Sequence, residues 1–94
     1  ECVYVLDGQA VAVIGDEEHP IGPGDFIGYR KGGLAHTIRV TGPDLFRCIV
    51  VGERLAHDVG DYPDKGKRIY RNAGQPWDLV DHDHIVTPQG AGKK

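Results

Sequence analysis

Hydrophobic positions along the first half of the chain fall into short runs that are separated by glycine, proline and charged residues. These runs are rich in β-branched and aromatic side chains, which favour β-strands. No apolar pattern with the period of a helix persists over eleven residues here. The pattern therefore predicts an all-β sandwich or barrel, with strands over residues 2–6, 9–14, 19–21, 26–29, 36–41 and 45–51.

Turn signals between the runs predict how the strands connect. Asp7-Gly8 is a two-residue hairpin signal, so residues 9–14 are expected to return beside residues 2–6. Gly22-Pro23-Gly24-Asp25 predicts a tight turn, because proline sets φ and glycine supplies positive φ. Pro20 limits the pairing of the short run around it, which favours an edge position.

The run at residues 2–6 is apolar on both strand faces. Such a strand needs cover on both sides. One face is expected to meet the barrel core, and the other a second sheet, the C-terminal segment or another subunit. We therefore expect a homodimer.

The composition changes after Gly52. Residues 53–94 are rich in aspartate and have few apolar runs. Residues 69–71 are compatible with a short strand, and Trp77 is expected to anchor this segment. We predict a barrel core at 1–52 and a C-terminal tail at 53–94 that packs on the barrel, with residues 89–94 frayed.

Length and charge restrict the possible functions. A chain of 94 residues is one domain at most. Its formal net charge of −3 and the lack of a basic stripe argue against nucleic-acid binding. The basic run formed by Lys65, Lys67, Arg68 and Arg71 is interpreted as a solvated loop. Apolar runs of about six residues are too short for a membrane span, and without a secretory signal we expect a cytoplasmic protein.

Candidate chemistry starts from the alternation of side chains along two strands. It places Glu1 on the same face as Val3 and Val5, and His36 on the same face as Ile38 and Val40. If the aliphatic side chains line the barrel, a carboxylate and an imidazole share its interior, which could begin a metal site. The alternative is a core histidine satisfied by an ordinary hydrogen bond.

The same residues resemble the two motifs of the cupin superfamily. Glu1, followed after six residues by Gly8, matches the end of the first motif. Gly24-Asp25, the loop through Gly32-Gly33 and His36 are similar to the second motif. The resemblance covers roughly residues 1–52. The segment at 60–67 is similar to the one that follows the barrel in a subgroup of single-domain cupins.

This resemblance implies a double-stranded β-helix of the jelly-roll type that is incomplete at its N-terminal end. Cupins are often dimeric and usually hold Fe, Mn, Ni, Zn or Cu on three histidines and one glutamate. Glu1 would be the carboxylate ligand and His36 the last histidine, whereas the His-x-His pair of the first motif would precede residue 1. One or two initial strands would also be absent, which predicts an open edge beside residues 2–6 and allows strand exchange between subunits.

The sequence departs from the second motif at two positions. Arg30 or Lys31 stands where the motif has proline, and Val40 where it has asparagine. Two protein ligands are fewer than a catalytic metal site requires. The resemblance alone therefore leaves the metal content open.

A second polar cluster competes with this site. If residues 81–84 form a strand, His82 and His84 lie on one face and Asp81 and Asp83 on the other. With His57-Asp58 they could bind a divalent metal at the surface, but a solvated polar tail is the simpler interpretation. Tyr29, Arg39 and Arg47 could line a pocket mouth or lie on strand faces with their polar ends in water.

Three functions remain open at this point. The first is a metal-dependent small-molecule enzyme or the remnant of one, with Glu1 and His36 holding the metal. The second is a non-catalytic ligand-binding or sensory module, and the third is a structural dimerisation domain. The fold alone does not choose a reaction.

Overall fold

The computed structural model describes residues 1–90, and these residues are almost entirely β-strands and turns. Two short 3-10 turns, at Pro63–Lys65 and His82–His84, are the helical elements of this range. The all-β prediction is confirmed. The strands are β1 (Cys2–Asp7), β2 (Ala10–Ile14), β3 (Glu17–Ile21), β4 (Phe26–Gly28), β5 (His36–Val40), β6 (Arg47–Val51), β7 (His57–Tyr62), β8 (Lys67–Asn72) and β9 (Asp78–Asp81).

The chain divides into two compact units, Glu1–Arg54 and Leu55–Lys94. The first unit contains two three-stranded antiparallel sheets, in the orders β4-β1-β6 and β3-β2-β5. The second contains one sheet in the order β7-β8-β9. That residues 53–94 pack on the barrel stays a prediction.

Strand β1 lies in the centre of its sheet. It pairs with β4 through Val3 and Ile27, and with β6 through Val3 and Val50. The expected open edge beside residues 2–6 is therefore wrong, because both sides of β1 already have partners. Among the described residues, β4 and β6 form the edges of this sheet.

The predicted hairpin between β1 and β2 is also wrong, because the two strands belong to different sheets. Pairing of β1 with β6 shifts register between Val5 and Asp7, and Gly8 then takes a φ of +89°. A Cβ at Gly8 would lie 2.6 Å from the Leu45 carbonyl oxygen. The Asp-Gly pair thus redirects the chain from one sheet to the other across the backbone that leads into β6.

The hairpin that does form joins β2 to β3 through Gly15-Asp16. Gly15 has a φ of +58°, which suits a tight turn. β3 pairs with β2 alone among the described strands, which confirms an edge position for Pro20. The turn predicted at 22–25 is present, and the Gly22 nitrogen donates to a carboxylate oxygen of Asp25 at 2.8 Å.

The core of the first unit lies between its two sheets. Val5 is fully buried and is in one cluster with Ala10, Ala12 and Ile21, against which Ile27, Ile38 and Phe46 pack. Burial of Val3 and Val5 confirms that their face of β1 is internal. Val40 is 54% exposed, so its predicted place in the interior is wrong. It is the last residue of β5, an edge strand, and lies at a corner of the sheet.

Pairs of opposite charges bridge the hydrogen-bonded strands of the second unit. Arg68 on β8 donates from Nε to Asp61 on β7 at 2.8 Å, and Lys67 contacts Asp81 on β9. Arg71 donates to Asp58 at 2.6 Å. The basic run was interpreted as a loop, but these three cations lie on a strand and each faces a carboxylate. Cross-strand pairs of this kind favour the observed register.

Hydrogen bonds from Arg68 and then His82 hold the pKa of the Asp61 carboxyl below its usual range. Lys67 does the same to the pKa of Asp81. Trp77 is 63% exposed and lies over the Arg71 guanidinium of its own unit.

Residues 89 and 90 close the described range in a turn, and residues 91–94 of the segment expected to be frayed lie outside it. No helix within residues 1–90 has the length and apolar character needed to cross a membrane.

Candidate functional site

Glu1 is held at the end of the β4-β1-β6 sheet by an extra pair of backbone hydrogen bonds. The Tyr29 amide donates to the Glu1 carbonyl at 2.7 Å, and the Glu1 nitrogen donates to the Tyr29 carbonyl at 3.1 Å. This is the reciprocal bonding of an antiparallel pair. It continues the β1–β4 ladder one residue beyond Cys2 and Gly28.

His36 begins β5 at the end of the other sheet. It lies opposite Ile14, the last residue of β2. Just beyond this pair, the Gly15 amide donates to the Ala35 carbonyl at 2.9 Å. His36 is therefore positioned by regular strand pairing, as Glu1 is.

The two side chains meet across the gap between the sheets. Nε2 of His36 lies 3.0 Å from Oε1 of Glu1, and the side chains are 31% and 46% exposed respectively. The structure thus brings the two sequence-predicted residues together. They face each other at a partly open position, not inside the apolar core.

The second ring nitrogen of His36 also faces an acceptor. Nδ1 lies 3.4 Å from the Leu34 carbonyl oxygen, a long hydrogen bond in which Nδ1 must be the donor. An ionised carboxylate is likewise only an acceptor. A neutral imidazole has one N–H group, so His36 donates either to Glu1 through Nε2 or to Leu34 through Nδ1. With the hydrogen on Nδ1, the Nε2 lone pair faces the Glu1 carboxylate and is available to a metal ion.

Tyr29 covers one face of the His36 imidazole. Its ring stacks on the His36 imidazole with centroids 3.5 Å apart and planes within 8°. The hydroxyl oxygen is buried and has no hydrogen-bond partner among residues 1–90. Burial, and secondly the Glu1 carboxylate, raise the pKa of the Tyr29 phenol above its ordinary value.

A cleft of about 330 Å³ opens beside Tyr29. Its walls are largely apolar or backbone, with a single charged side chain, Arg30, among the lining residues. They are Ile14, Gly28, Tyr29, Arg30, Gly33 and Leu34. Glu1 and His36 do not line the cleft, so Tyr29 connects it with the pair.

The family model described as "Cupin domain" matches residues 1–52 of the chain. The chain belongs to the cupin family. Membership confirms the resemblance noted in the sequence and agrees with the two facing antiparallel sheets of the first unit.

The solved structures include a cupin-like relative of this chain. It is a protein from Acidithiobacillus ferrooxidans ATCC 23270 that carries the provisional name sugar phosphate isomerase. Identity is 42% and the TM-score is 0.85, over 94% of this cupin chain and 56% of that one. The chain therefore spans little more than half the length of the solved relative. No curated protein matches it.

Glu1 and His36 have the chemistry of two ligands of a divalent transition metal, but not the number of a complete set. Two donors at right angles on one ion, with bonds of about 2.0–2.1 Å, are about 2.9 Å apart. The observed 3.0 Å separation is close to this value and is also the length of an ordinary hydrogen bond between the two side chains. Leu34 would orient the ring as a carbonyl commonly does for a ligating histidine. Within residues 1–90, however, no cluster of three or more His, Cys, Asp or Glu side chains is arranged for a metal.

The competing cluster does not have the predicted geometry. Residues 82–84 form a 3-10 turn, so the expected division of histidines and aspartates between two strand faces is wrong. His82 bonds Asp61 at 3.0 Å, and His84 lies 4.0 Å from Asp81. Because these carboxylates already face Arg68 and Lys67, they serve as ion-pair partners within the sheet.

Tyr29, which contacts both His36 and the cleft, carries only a weak signal in the sequence. Tyr29 was one of three candidates for a pocket mouth, and the structure places it in the cleft wall. The other two form surface ion pairs, Arg39 with Glu18 and Arg47 with Asp7. Arg30, which with Lys31 is one of the two residues that could replace the proline of the motif, lines the cleft.

Proposed function

We propose that this cupin chain is the barrel of a metal-dependent enzyme that isomerises a sugar phosphate, with Glu1 and His36 among its metal ligands. The observation that carries the proposal is the 3.0 Å contact between their donor atoms at matching ends of the two sheets. The name and 42% identity of the solved relative support the substrate class. Because the chain spans 56% of that relative, activity of the whole protein is part of the proposal.

Interconversion of an aldose and a ketose moves hydrogen between neighbouring carbon and oxygen atoms and needs no external oxidant. A bound divalent metal would supply a Lewis acid that polarises the sugar oxygens. Glu1 and His36 would orient the sugar through that centre. The Tyr29 hydroxyl, which has no partner among the described residues, would satisfy its hydrogen-bonding capacity on a sugar oxygen.

The cleft fits a substrate of this size. At about 330 Å³ it is at the lower end of the range for small-molecule sites. Ile14 and Leu34 give it apolar walls, which would exclude water from one side of the sugar. Tyr29 would then place a sugar in the cleft next to the metal ligands, since its ring stacks on His36 and also lines the cleft.

Hydrogen exchange provides the test. The purified protein, loaded in turn with Fe, Mn, Ni, Zn and Cu, is incubated in deuterated water with hexose and pentose phosphates. We expect proton NMR to detect deuterium entering C1 or C2 together with product formation. His36→Ala should lose at least about 100-fold in rate, as expected when a metal ligand is removed.

His19→Ala is the matched control, because His19 is an exposed histidine on β3 whose contact is with Glu17. It should retain the wild-type rate. Failure of every metal and sugar phosphate to give the isomerised product would contradict the isomerase proposal. Binding of sugar phosphate without any product would instead favour a ligand-binding or sensory module.

A further inference from the structure

Of the four arginines in residues 1–54, Arg30 and Arg54 have no carboxylate of residues 1–90 within salt-bridge distance, and Arg30 is the one that lines the cleft. Arg39 and Arg47 each face a carboxylate. Within residues 1–90, no carboxylate lies within salt-bridge distance of Arg30, although its side chain lines the cleft beside Tyr29. A cation in the wall of a largely apolar cleft is available to an anion that enters it.

The loop that follows fixes the Arg30 backbone and lies against the base of its exposed side chain. The Gly33 amide donates to the Arg30 carbonyl at 3.2 Å, and Gly32 has a φ of +71°. A Cβ added to Gly33 would lie 3.1 Å from the Arg30 oxygen and 3.3 Å from its Cγ. The side-chain stem therefore lies against Gly33, a contact that a larger residue would disturb.

Arg30 is the charged side chain in the cleft lining, and the Glu1 carboxylate acts on Tyr29, another lining residue. Lys31 follows Arg30 directly, and it too has no carboxylate within salt-bridge distance in the described part of the chain. A guanidinium presents a planar fork that matches two phosphate oxygens, and such charge-assisted pairs are among the stronger hydrogen bonds. A phosphate monoester complements this end of the cleft better than a neutral sugar does.

We propose that Arg30 binds the phosphate group of the phosphorylated sugar and selects phosphorylated over unphosphorylated sugars. This inference rests on the proposed function and adds the residue that recognises the phosphate. It gives a role to one of the two residues, Arg30 or Lys31, that stand where the cupin motif has proline. The sugar would lie between Arg30 and Tyr29, with its phosphate directed away from Glu1 and His36.

Isothermal titration calorimetry on the purified protein tests this, with a hexose 6-phosphate, the unphosphorylated hexose and inorganic phosphate as probes. We expect the hexose phosphate to bind most tightly. Arg30→Gln should weaken its binding about 10–100-fold and leave binding of the unphosphorylated hexose unchanged. Arg30→Lys should be intermediate, because it keeps the charge and loses the planar fork.

Arg54→Gln is the matched control. Arg54 is exposed, forms no salt bridge among residues 1–90, and its replacement removes the same charge. It should bind like wild type. Equal losses in Arg30→Gln and Arg54→Gln would overturn the proposal in favour of a general charge effect. An unchanged affinity in Arg30→Gln, or inorganic phosphate binding as tightly as the hexose phosphate, would also overturn it.

The calorimetric titration and the isomerisation experiment test different claims, so one can fail without the other. Arg30-dependent binding without isomerisation would support the phosphate site and contradict the proposed reaction. Isomerisation that Arg30→Gln leaves unaltered would support the reaction and contradict the phosphate site.

Discussion

At the scale of single residues, Tyr29 joins two features that are otherwise separate. Its ring stacks on His36 and also forms part of the cleft wall. Its hydroxyl is buried without a partner among residues 1–90, and a buried group of this kind costs stability. Such an atom is tolerable where a ligand supplies the missing partner.

Tyr29→Phe separates these roles, because it keeps the stacked ring and removes the hydroxyl. We expect the free energy of unfolding near neutral pH to stay the same or rise by about 1 kcal/mol, since an unsatisfied group is lost. Binding of the sugar phosphate should weaken. Urea denaturation and calorimetric titration measure the two effects, and a clear loss of stability would contradict the unpartnered hydroxyl.

The same variant has a pH signature. Folding raises the pKa of Tyr29, so the folded state binds the phenolic proton more tightly than the unfolded state does. The resulting stabilisation is complete below about pH 10, the ordinary tyrosine value, and is lost as the pH rises through the folded value. Tyr29→Phe should lose less stability than wild type above about pH 10. Tyr62→Phe, at an exposed tyrosine of the second unit, is the control and should behave as wild type.

At the scale of elements, one glycine determines how the two sheets connect. Gly8 and Gly24 both have a φ of +89°. A Cβ on Gly8 would clash with the Leu45 and Phe46 backbone, whereas nothing lies within 4 Å of a Cβ on Gly24. The two positions therefore share backbone strain and differ in available space.

Gly24→Ala should lower the free energy of unfolding by about 1–2 kcal/mol, because a residue with a side chain is strained in the left-handed conformation. Gly8→Ala should cost about 1–3 kcal/mol more, because the sheets must also move apart. Chemical denaturation of the two variants measures this difference. Equal losses would contradict the close approach of Gly8 to the Leu45 and Phe46 backbone.

Local patterns explain which elements could be foreseen. Alternation and turn residues are short-range, so they located β1, β2, β5 and the turn at 22–25. Pairing partners depend on distant segments, and for that reason the Asp7-Gly8 signal gave a hairpin where the chain crosses between sheets. Residues 67–72 gave little strand signal because four of the six are charged or polar, and their partners β7 and β9 lie in other segments.

The residues of the candidate site likewise include some that the sequence predicted and some that it did not. Alternation and the cupin resemblance indicated Glu1 and His36, which do meet. The role of Tyr29 arises from a contact between two loop-proximal side chains, and the position of Arg30 depends on the fold of its loop. Neither feature follows from the alternation of apolar and polar residues in the sequence.

At the scale of the whole molecule, a homodimer remains the prediction. Tyr4 lies opposite Phe26 on one side and Ile49 on the other, and all three are between 44% and 65% exposed. This apolar row crosses one face of the β4-β1-β6 sheet. An exposed apolar row of this kind favours association, and a second copy of the chain would cover it.

Light scattering at tens of micromolar (a concentration at which a stable dimer persists) should give the dimer mass. Ile49→Glu should give monomers, because it introduces a charge into the row. Val59→Glu alters a similarly exposed valine in the second unit and should leave the dimer intact. A monomeric wild-type protein would contradict the prediction.

The metal content of the protein tests the central claim most directly, namely that Glu1 and His36 together bind a divalent transition metal. Wild type, His36→Ala and His19→Ala, all without a purification tag, are dialysed against the same metal mixture and examined by elemental analysis. The account predicts that wild type and His19→Ala retain metal in equal amounts and that His36→Ala loses it. Equal metal in wild type and His36→Ala would contradict the account.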